Sequence, residues 1–151
     1  MALCGHPEGV GGKSAAQARA ALAAKLQWAD AAGMGARVVT QFCFDASAAT
    51  GYVDGLRADG FDVDVSLGVV GPSSLALRQR MAERCGVAPP PAADGATPYM
   101  RALAAWQTAR GGGAGIQAVH LYPFGGLGRT LRWMQSDEMQ DTSRFFFVPA
   151  P

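Results

Sequence analysis

Polar side chains that could bind a ligand or move a proton recur near the ends of the apolar runs in this sequence. These side chains are those of His6, Glu8, Thr40, Gln41, Asp45, His120 and Tyr122, and Gly68 lies at the corresponding position of the third apolar run. In a parallel α/β fold, residues just beyond the C-terminal ends of the strands meet at one edge of the sheet and form the site. We therefore place the candidate site at that edge.

Gln41 is the most unusual member of this set, because it is an uncharged amide within a run of Val, Phe and Cys. Burying such an amide without partners costs about 1–3 kcal/mol. It therefore needs either a backbone partner or the edge of a ligand. A group that both donates and accepts hydrogen bonds suits a heterocycle such as a pterin.

The other candidates have structural alternatives. His120 could be a hydrogen-bonded core histidine, and Glu8 a solvated loop acid. Lys25 lies on a helix that is otherwise poor in charge and could simply snorkel at the surface. The glycines of residues 125–128 precede a helix, so they could offer amides to a phosphate or form a tight turn.

The elements that position these residues alternate between strands and helices. Apolar runs predict strands at 2–5, 37–44, 61–70 and 116–122. Helical patterns cover 14–32, 46–59 and 74–85, with further helices from Thr97 and over 129–139. Ser14, Asp45 and Ser73 are the expected N-caps, and Gly86 ends the third helix.

Such alternation implies right-handed crossovers and a parallel sheet. Two architectures fit it, an open doubly wound sheet or part of a (β/α)8 barrel. Gly9, Gly11 and Gly12 are spaced wrongly for a dinucleotide-binding fingerprint, which disfavours the first architecture.

Composition excludes several classes of protein. The chain has 151 residues, of which 49% are hydrophobic, and 13 basic against 12 acidic residues give a net charge of +1. This composition favours one globular domain and no nucleic-acid or membrane partner. The start of the chain does not resemble a secretory signal. Three cysteines without paired spacing argue against zinc and disulfide scaffolds, so we expect a cytoplasmic location.

Four segments of the chain resemble motifs of one enzyme family. Cys4-Gly-His-Pro-Glu-Gly9 resembles the Gly-Tyr-Pro-Glu-Gly-His stretch that ends the fifth barrel strand of that family. Residues 37–45, which contain Thr-Gln-Phe-Cys-Phe-Asp, resemble the sixth-strand motif Thr-Gln-Phe-Phe-Phe-Asp. Residues 61–70 lie where the family has Ile-Pro-Gly-Ile, and Val119-His-Leu-Tyr122 resembles the eighth-strand motif His-Phe-Tyr-Thr. The order and spacing of the four segments agree up to about Met134, and together they resemble the flavin-dependent methylenetetrahydrofolate reductases.

The resemblance implies a partial (β/α)8 TIM barrel, with its C-terminal half in residues 1–136 and a tail in 137–151. It implies FAD and NAD(P)H as cofactors and a folate as substrate. By this resemblance Gln41 contacts the pterin and the nicotinamide, Lys25 lies close to the flavin phosphate, and His6 replaces a tyrosine that lines the flavin site. The family's catalytic acid belongs to the first barrel strand, so we expect no catalytic residue in this chain.

The sequence also departs from the family. Val10 replaces a histidine, and the arginine that holds the folate falls on or near Gly126, with Arg129 three residues further on. A complete barrel needs roughly 250 residues. We therefore expect a complementary half-barrel, supplied by an N-terminal partner chain, by a copy of this chain or by a longer parent from which it is cut. The alternatives are a non-catalytic half-barrel that binds folate or serves assembly, and a truncated gene product.

Overall fold

The computed structural model describes residues 1–93, 96–110, 115–137 and 139–140. Four strands and five helices are defined within these ranges. In chain order they are β1 (Ala2–Gly5), α1 (Ala15–Ala31), β2 (Arg37–Phe42), α2 (Ala46–Ala58), β3 (Asp64–Val70), α3 (Leu75–Cys85), α4 (Ala96–Ala109), β4 (Ala118–Tyr122) and α5 (Leu127–Met134). No helix within the described ranges is both long and apolar enough to span a bilayer.

Local capping explains where several helices begin and end. Ser14 forms a capping box with Gln17 at the start of α1, and Asp45 accepts the Ser47 N–H at the start of α2. Gly86 ends α3 with a left-handed φ of 65°, a conformation that glycine adopts without strain. These boundaries confirm the expected caps.

Other boundaries differ from expectation. Ser74 caps α3, so the expectation of Ser73 is wrong by one residue. The strands β2, β3 and β4 are shorter than the apolar runs that contain them. α5 begins two residues earlier than expected because Gly126, with φ of 95°, forms its N-cap, and it ends five residues earlier. Residues 141–151, which make up most of the expected tail, lie outside the described residues, as do the glycines 111–113.

The four strands form one parallel sheet in the order β1-β2-β3-β4. The pairs include Leu3 with Val38, Val38 with Val65, and Leu67 with Val119. Spatial order thus follows chain order, without the reversal at which a doubly wound sheet changes direction. Among the described strands, the class is therefore α/β with consecutive parallel strands.

The two faces of the sheet are buried to very different extents. The covered face contains Val38, Val65 and Leu67, each fully buried beneath the helices. We define the open face as the one that carries Cys4, Val39, Ser66, Ala118 and His120, which are all partly or fully exposed. The main core lies on the covered side. Near the C-terminal end of the open face, Phe42 is also buried, and its ring contacts those of Tyr122 and Phe124.

Candidate functional site

A bulge at Thr40 and Gln41 interrupts β2 near its C-terminal end. The register against β3 shifts between Val39 and Phe42, so β2 has one residue more than its partner over this stretch. Bulges of this kind redirect side chains and are frequent beside functional sites. Both residues were predicted from the sequence to lie at the site, whereas nothing in the sequence indicated the extra residue.

Contacts from two neighbouring strands hold the bulge in place. Thr40 Oγ1 accepts the backbone N–H of Gly68 at 2.8 Å, and the Tyr122 hydroxyl donates to the Thr40 carbonyl oxygen at 3.2 Å. A Cβ atom on Gly68 would lie 2.7 Å from both the Phe42 nitrogen and the Thr40 oxygen. Only glycine allows this close approach, so three strands together fix the bulge.

Gln41 is half-buried in this bulge, and its Oε1 accepts the backbone N–H of Phe42 at 3.1 Å. Because that partner can only donate, the contact also identifies which end of the carboxamide is oxygen. The backbone therefore satisfies the acceptor half of the amide. The Nε2 donor makes no hydrogen bond within the described part of the chain.

His6 follows β1 and lies beside Gln41, since the preceding residue Gly5 pairs with Thr40. Its Nδ1 is buried and makes no hydrogen bond within the described residues. Burial and, to a smaller extent, the positive charge of Lys25 lower the pKa of His6. The structure thus brings His6 and Lys25 within electrostatic reach, and it leaves His6 neutral at pH 7.

His120 and Tyr122 lie on β4, at the other side of the C-terminal edge of the sheet. Their rings contact each other edge to face, with the ring centroids 5.0 Å apart. His120 is exposed, so the alternative of a core histidine is wrong for this residue. In β4, Val119 and Leu121 lie on the covered face. His120 lies on the open face, where it pairs with Gly68 of β3.

Glu8 joins two loops at this edge. Its Oε2 accepts the backbone N–H of Ala88, which lies in the segment after α3, at 2.8 Å. The contact spans 80 positions of sequence and ties the β1–α1 loop to the α3–α4 connection. Glu8 is therefore hydrogen-bonded to a distant loop, and the alternative of a purely solvated loop acid is wrong.

A small, partly open cavity of about 20 Å³ lies beyond the ends of β2 and β3, lined in part by Cys43, Tyr99 and Arg78. Cys43 Sγ and the Tyr99 hydroxyl are 3.3 Å apart. Burial raises the pKa of Cys43 to about 11 and also raises that of Tyr99, so both groups remain protonated at neutral pH. The buried thiol is unsuited to act as a nucleophile.

Arg78 in α3 is only 4% exposed and was missed by the sequence analysis. Its guanidinium donates to the carbonyl oxygens of Ser73, Pro91 and Ala93, at 2.6, 3.2 and 2.9 Å respectively. These contacts fasten α3 to the proline-rich connection that follows it. A charged residue within a polar helix gave no sequence signal for this role, because its partners are distant backbone atoms.

The glycines among residues 125–128 are explained mainly by close backbone packing and by the start of α5. A Cβ on Gly125 would lie 2.0 Å from the Pro72 carbonyl oxygen, so this position allows two loops to touch. Gly126 donates its N–H to the Pro123 carbonyl oxygen and caps α5. The turn alternative is confirmed at these positions. Arg129 lies exposed in the first turn of α5.

Within the residues that the structure describes, no group of three or more His, Cys, Asp and Glu side chains could hold a metal ion. The polar side chains at the C-terminal edge include the Gln41 amide, the His6 and His120 imidazoles and the Glu8 carboxylate, and the Lys25 ammonium lies within electrostatic reach of His6. No family model matches the chain.

Proposed function

We propose that this chain is the C-terminal half of a (β/α)8 barrel in an FAD-dependent reductase. In this proposal the enzyme converts 5,10-methylenetetrahydrofolate to 5-methyltetrahydrofolate with NAD(P)H. The observation that carries the proposal is Gln41, held half-buried in a locked bulge with its oxygen anchored and its Nε2 donor available. The placement suits a side chain that must present a fixed donor to a ring system.

The sheet supports the barrel part of the proposal. Its strands follow one another in chain order, and one face is buried beneath helices while the other is open. β1 and β4 each pair with a single neighbour among the described strands. Unpaired edges favour association with further strands, and a complementary N-terminal half-barrel would pair with both edges.

His6 and Lys25 fit a flavin chemically. The neutral imidazole of His6 has a buried Nδ1 that a ligand can satisfy, and the exposed ammonium of Lys25 lies close enough to lower the pKa of His6. In this proposal Lys25 attracts the phosphate end of FAD and His6 lines its site. Bound FAD supplies the hydride chemistry between NAD(P)H and the methylene carbon of the folate.

Gln41 orients the pterin in this proposal. Its Nε2 donates to an acceptor atom on the ring, while the Phe42 N–H prevents the carboxamide from rotating away. The hydrogen bonds of Gly68 and Tyr122 to Thr40 keep the Gln41 Nε2 donor at a constant position relative to the sheet edge. The contribution of Gln41 is thus orientation, which a preorganised donor supplies without a reorganisation cost.

The test is to assemble the chain with a separately produced N-terminal half of a methylenetetrahydrofolate reductase and to measure the two half-reactions. We expect Gln41→Ala to slow the folate half-reaction by about 30- to 100-fold, equivalent to roughly 2–3 kcal/mol. Flavin absorbance should be unchanged. Gln27→Ala, at an exposed position of α1, is the matched control. Equal folate rates for the two variants would remove Gln41 from the site.

Lys25 can be tested in the same assembly through its flavin content. Lys25→Ala should lower the ratio of FAD to protein, because a phosphate group loses its ionic partner. Lys13→Ala, also exposed, should retain the flavin. The same flavin content in both variants would show that Lys25 does not contribute to cofactor binding.

A second candidate is a folate-binding or assembly subunit without turnover. Gly126 favours it, because this residue caps α5 and has no side chain with which to hold the folate. An assembly that binds the folate and FAD but reduces neither would support this second function over the first.

A further inference from the structure

An open cleft of about 730 Å³ lies between α4 and α5, away from the bulge in β2. Arg101 projects into it from α4, and Arg129 and Arg132 from α5, while Trp133 forms part of the lining. All three arginines are exposed. Three guanidinium groups from two helices therefore border one concave surface.

The charge of this cleft is not balanced within the described part of the chain. The lining residues include no carboxylate, and none of the three arginines forms an ion pair or a hydrogen bond there. Elsewhere, Arg19 pairs with Asp59 at 3.0 Å. Positive charges that share a cleft repel one another, so an anion placed among them would be stabilised.

The cleft is fixed by contacts beneath the arginines. The Trp133 indole Nε1 donates to Thr97 Oγ1 at 3.0 Å, which joins α5 to the first turn of α4. Trp133 is 9% exposed, and the neighbouring Thr130 is buried. A ligand would thus meet a largely preformed site, and little binding energy would be spent on ordering it.

We propose that this cleft binds a small molecule that carries a phosphate group. A planar guanidinium group binds phosphate oxygens through a pair of parallel hydrogen bonds, whereas the ammonium group of lysine acts as a point charge. Arginine side chains are therefore better suited than lysine side chains to bind phosphate in this cleft. The volume exceeds that of a phosphate group and lies in the range of small-molecule sites. A net charge of +1 disfavours a nucleic-acid backbone as the occupant.

This inference does not rest on the residues that carry the proposed reductase activity, although Arg129 lies three residues after Gly126, where the resemblance places the arginine that holds the folate. The cleft is lined by Pro72, by α4 and by α5, and it shares no residue with Gln41, His6 or Lys25. Loss of phosphate binding would leave the folate proposal standing, and loss of the folate half-reaction would leave the cleft proposal standing.

The experiment is calorimetric titration of the full chain with inorganic pyrophosphate at constant ionic strength. We expect saturable binding that Arg129→Gln and Arg132→Gln each weaken about tenfold, since each removes a charge-assisted contact. Arg101→Gln should act in the same direction. Arg80→Gln and Arg84→Gln, at exposed positions of α3, are matched controls and should bind as the wild type does. Circular dichroism confirms that every variant is folded.

Three outcomes would overturn the proposal. The first is equal binding by the cleft variants and the α3 controls, which would indicate nonspecific charge attraction. The second is binding of p-aminobenzoylglutamate but not pyrophosphate, which would assign the cleft to a carboxylate ligand. The third is binding only to vesicles that contain phosphatidylglycerol, which would assign it to a membrane surface.

Discussion

The two faces of the sheet differ in how far their side chains are buried. On the covered face, Val38, Val65 and Leu67 are completely buried, whereas His120 on the open face is exposed and Ser66 is only half-buried. The strands are the same on both faces, so the difference arises from the helices that cover one of them. Stability is therefore concentrated on the covered side. The open face is exposed at Cys4 and His120, whereas near its C-terminal end Phe42 is buried against Tyr122.

The largest predicted effect contrasts a residue from each face. Leu67→Ala should lower the free energy of unfolding by about 2–5 kcal/mol, because it leaves a cavity in a fully buried layer. His120→Ala should change it by less than about 0.5 kcal/mol, because its side chain is exposed. Urea denaturation measures both. Similar losses in the two variants would show that the faces are not energetically distinct.

Gly68 is the residue of β3 whose missing side chain makes room for the bulge in β2. Gly68→Ala should destabilise the protein by about 1–3 kcal/mol, since the new methyl group would overlap backbone atoms of β2. Gly51→Ala in α2 is the matched control, because nothing lies within 4 Å of its added Cβ. That control should stabilise the helix by up to about 1 kcal/mol. Thermal unfolding of both variants checks the opposite signs.

The hydrogen bond from Tyr122 to the bulge can be tested separately from Gly68. Tyr122→Phe removes the hydroxyl that donates to the Thr40 carbonyl oxygen and keeps the ring contacts, so we expect a loss of about 0.5–1.5 kcal/mol. Urea denaturation measures the loss. An unchanged free energy of unfolding in Tyr122→Phe would contradict the importance assigned to this hydrogen bond.

The smallest effect concerns pH. Because the pKa of His6 is lower in the folded than in the unfolded protein, the unfolded state binds a proton first as the pH falls. Stability should therefore decrease below about pH 6.5 and level off below the lowered folded pKa. His6→Asn should reduce this decrease. Urea midpoints at about pH 7.5 and pH 5.5 measure the difference, and identical pH profiles would show that His6 is not responsible.

The sequence allowed accurate predictions of several helix ends, for which the information is local. Ser14 and Asp45 are capping residues whose partners lie two or three positions away, and Gly86 ends its helix through its own conformational freedom. The alternation of strands and helices likewise determined the parallel sheet. Strand order was left open between two architectures, because it depends on how separate units pack rather than on any one segment.

The candidate site was predictable only in part. Gln41 and His6 were identified by their residue types and positions, and the structure places them on neighbouring strands at one edge. The contact between Cys43 and Tyr99 spans 56 positions, and Arg78 binds backbone carbonyl groups, which have no side-chain identity. Neither arrangement leaves a pattern in the sequence. The arginine cleft was missed for the same reason, since Arg101 is far in sequence from α5.

The central proposal is that this chain supplies half of a flavin-dependent barrel. The most direct measurement is the flavin absorbance of the chain after purification, alone and with a co-expressed N-terminal half-barrel of a methylenetetrahydrofolate reductase. The account predicts a colourless chain alone and a yellow complex with about one FAD per pair of halves, able to reduce methylenetetrahydrofolate. A complex that forms without FAD, or a chain that binds FAD and turns over the folate unaided, would contradict it.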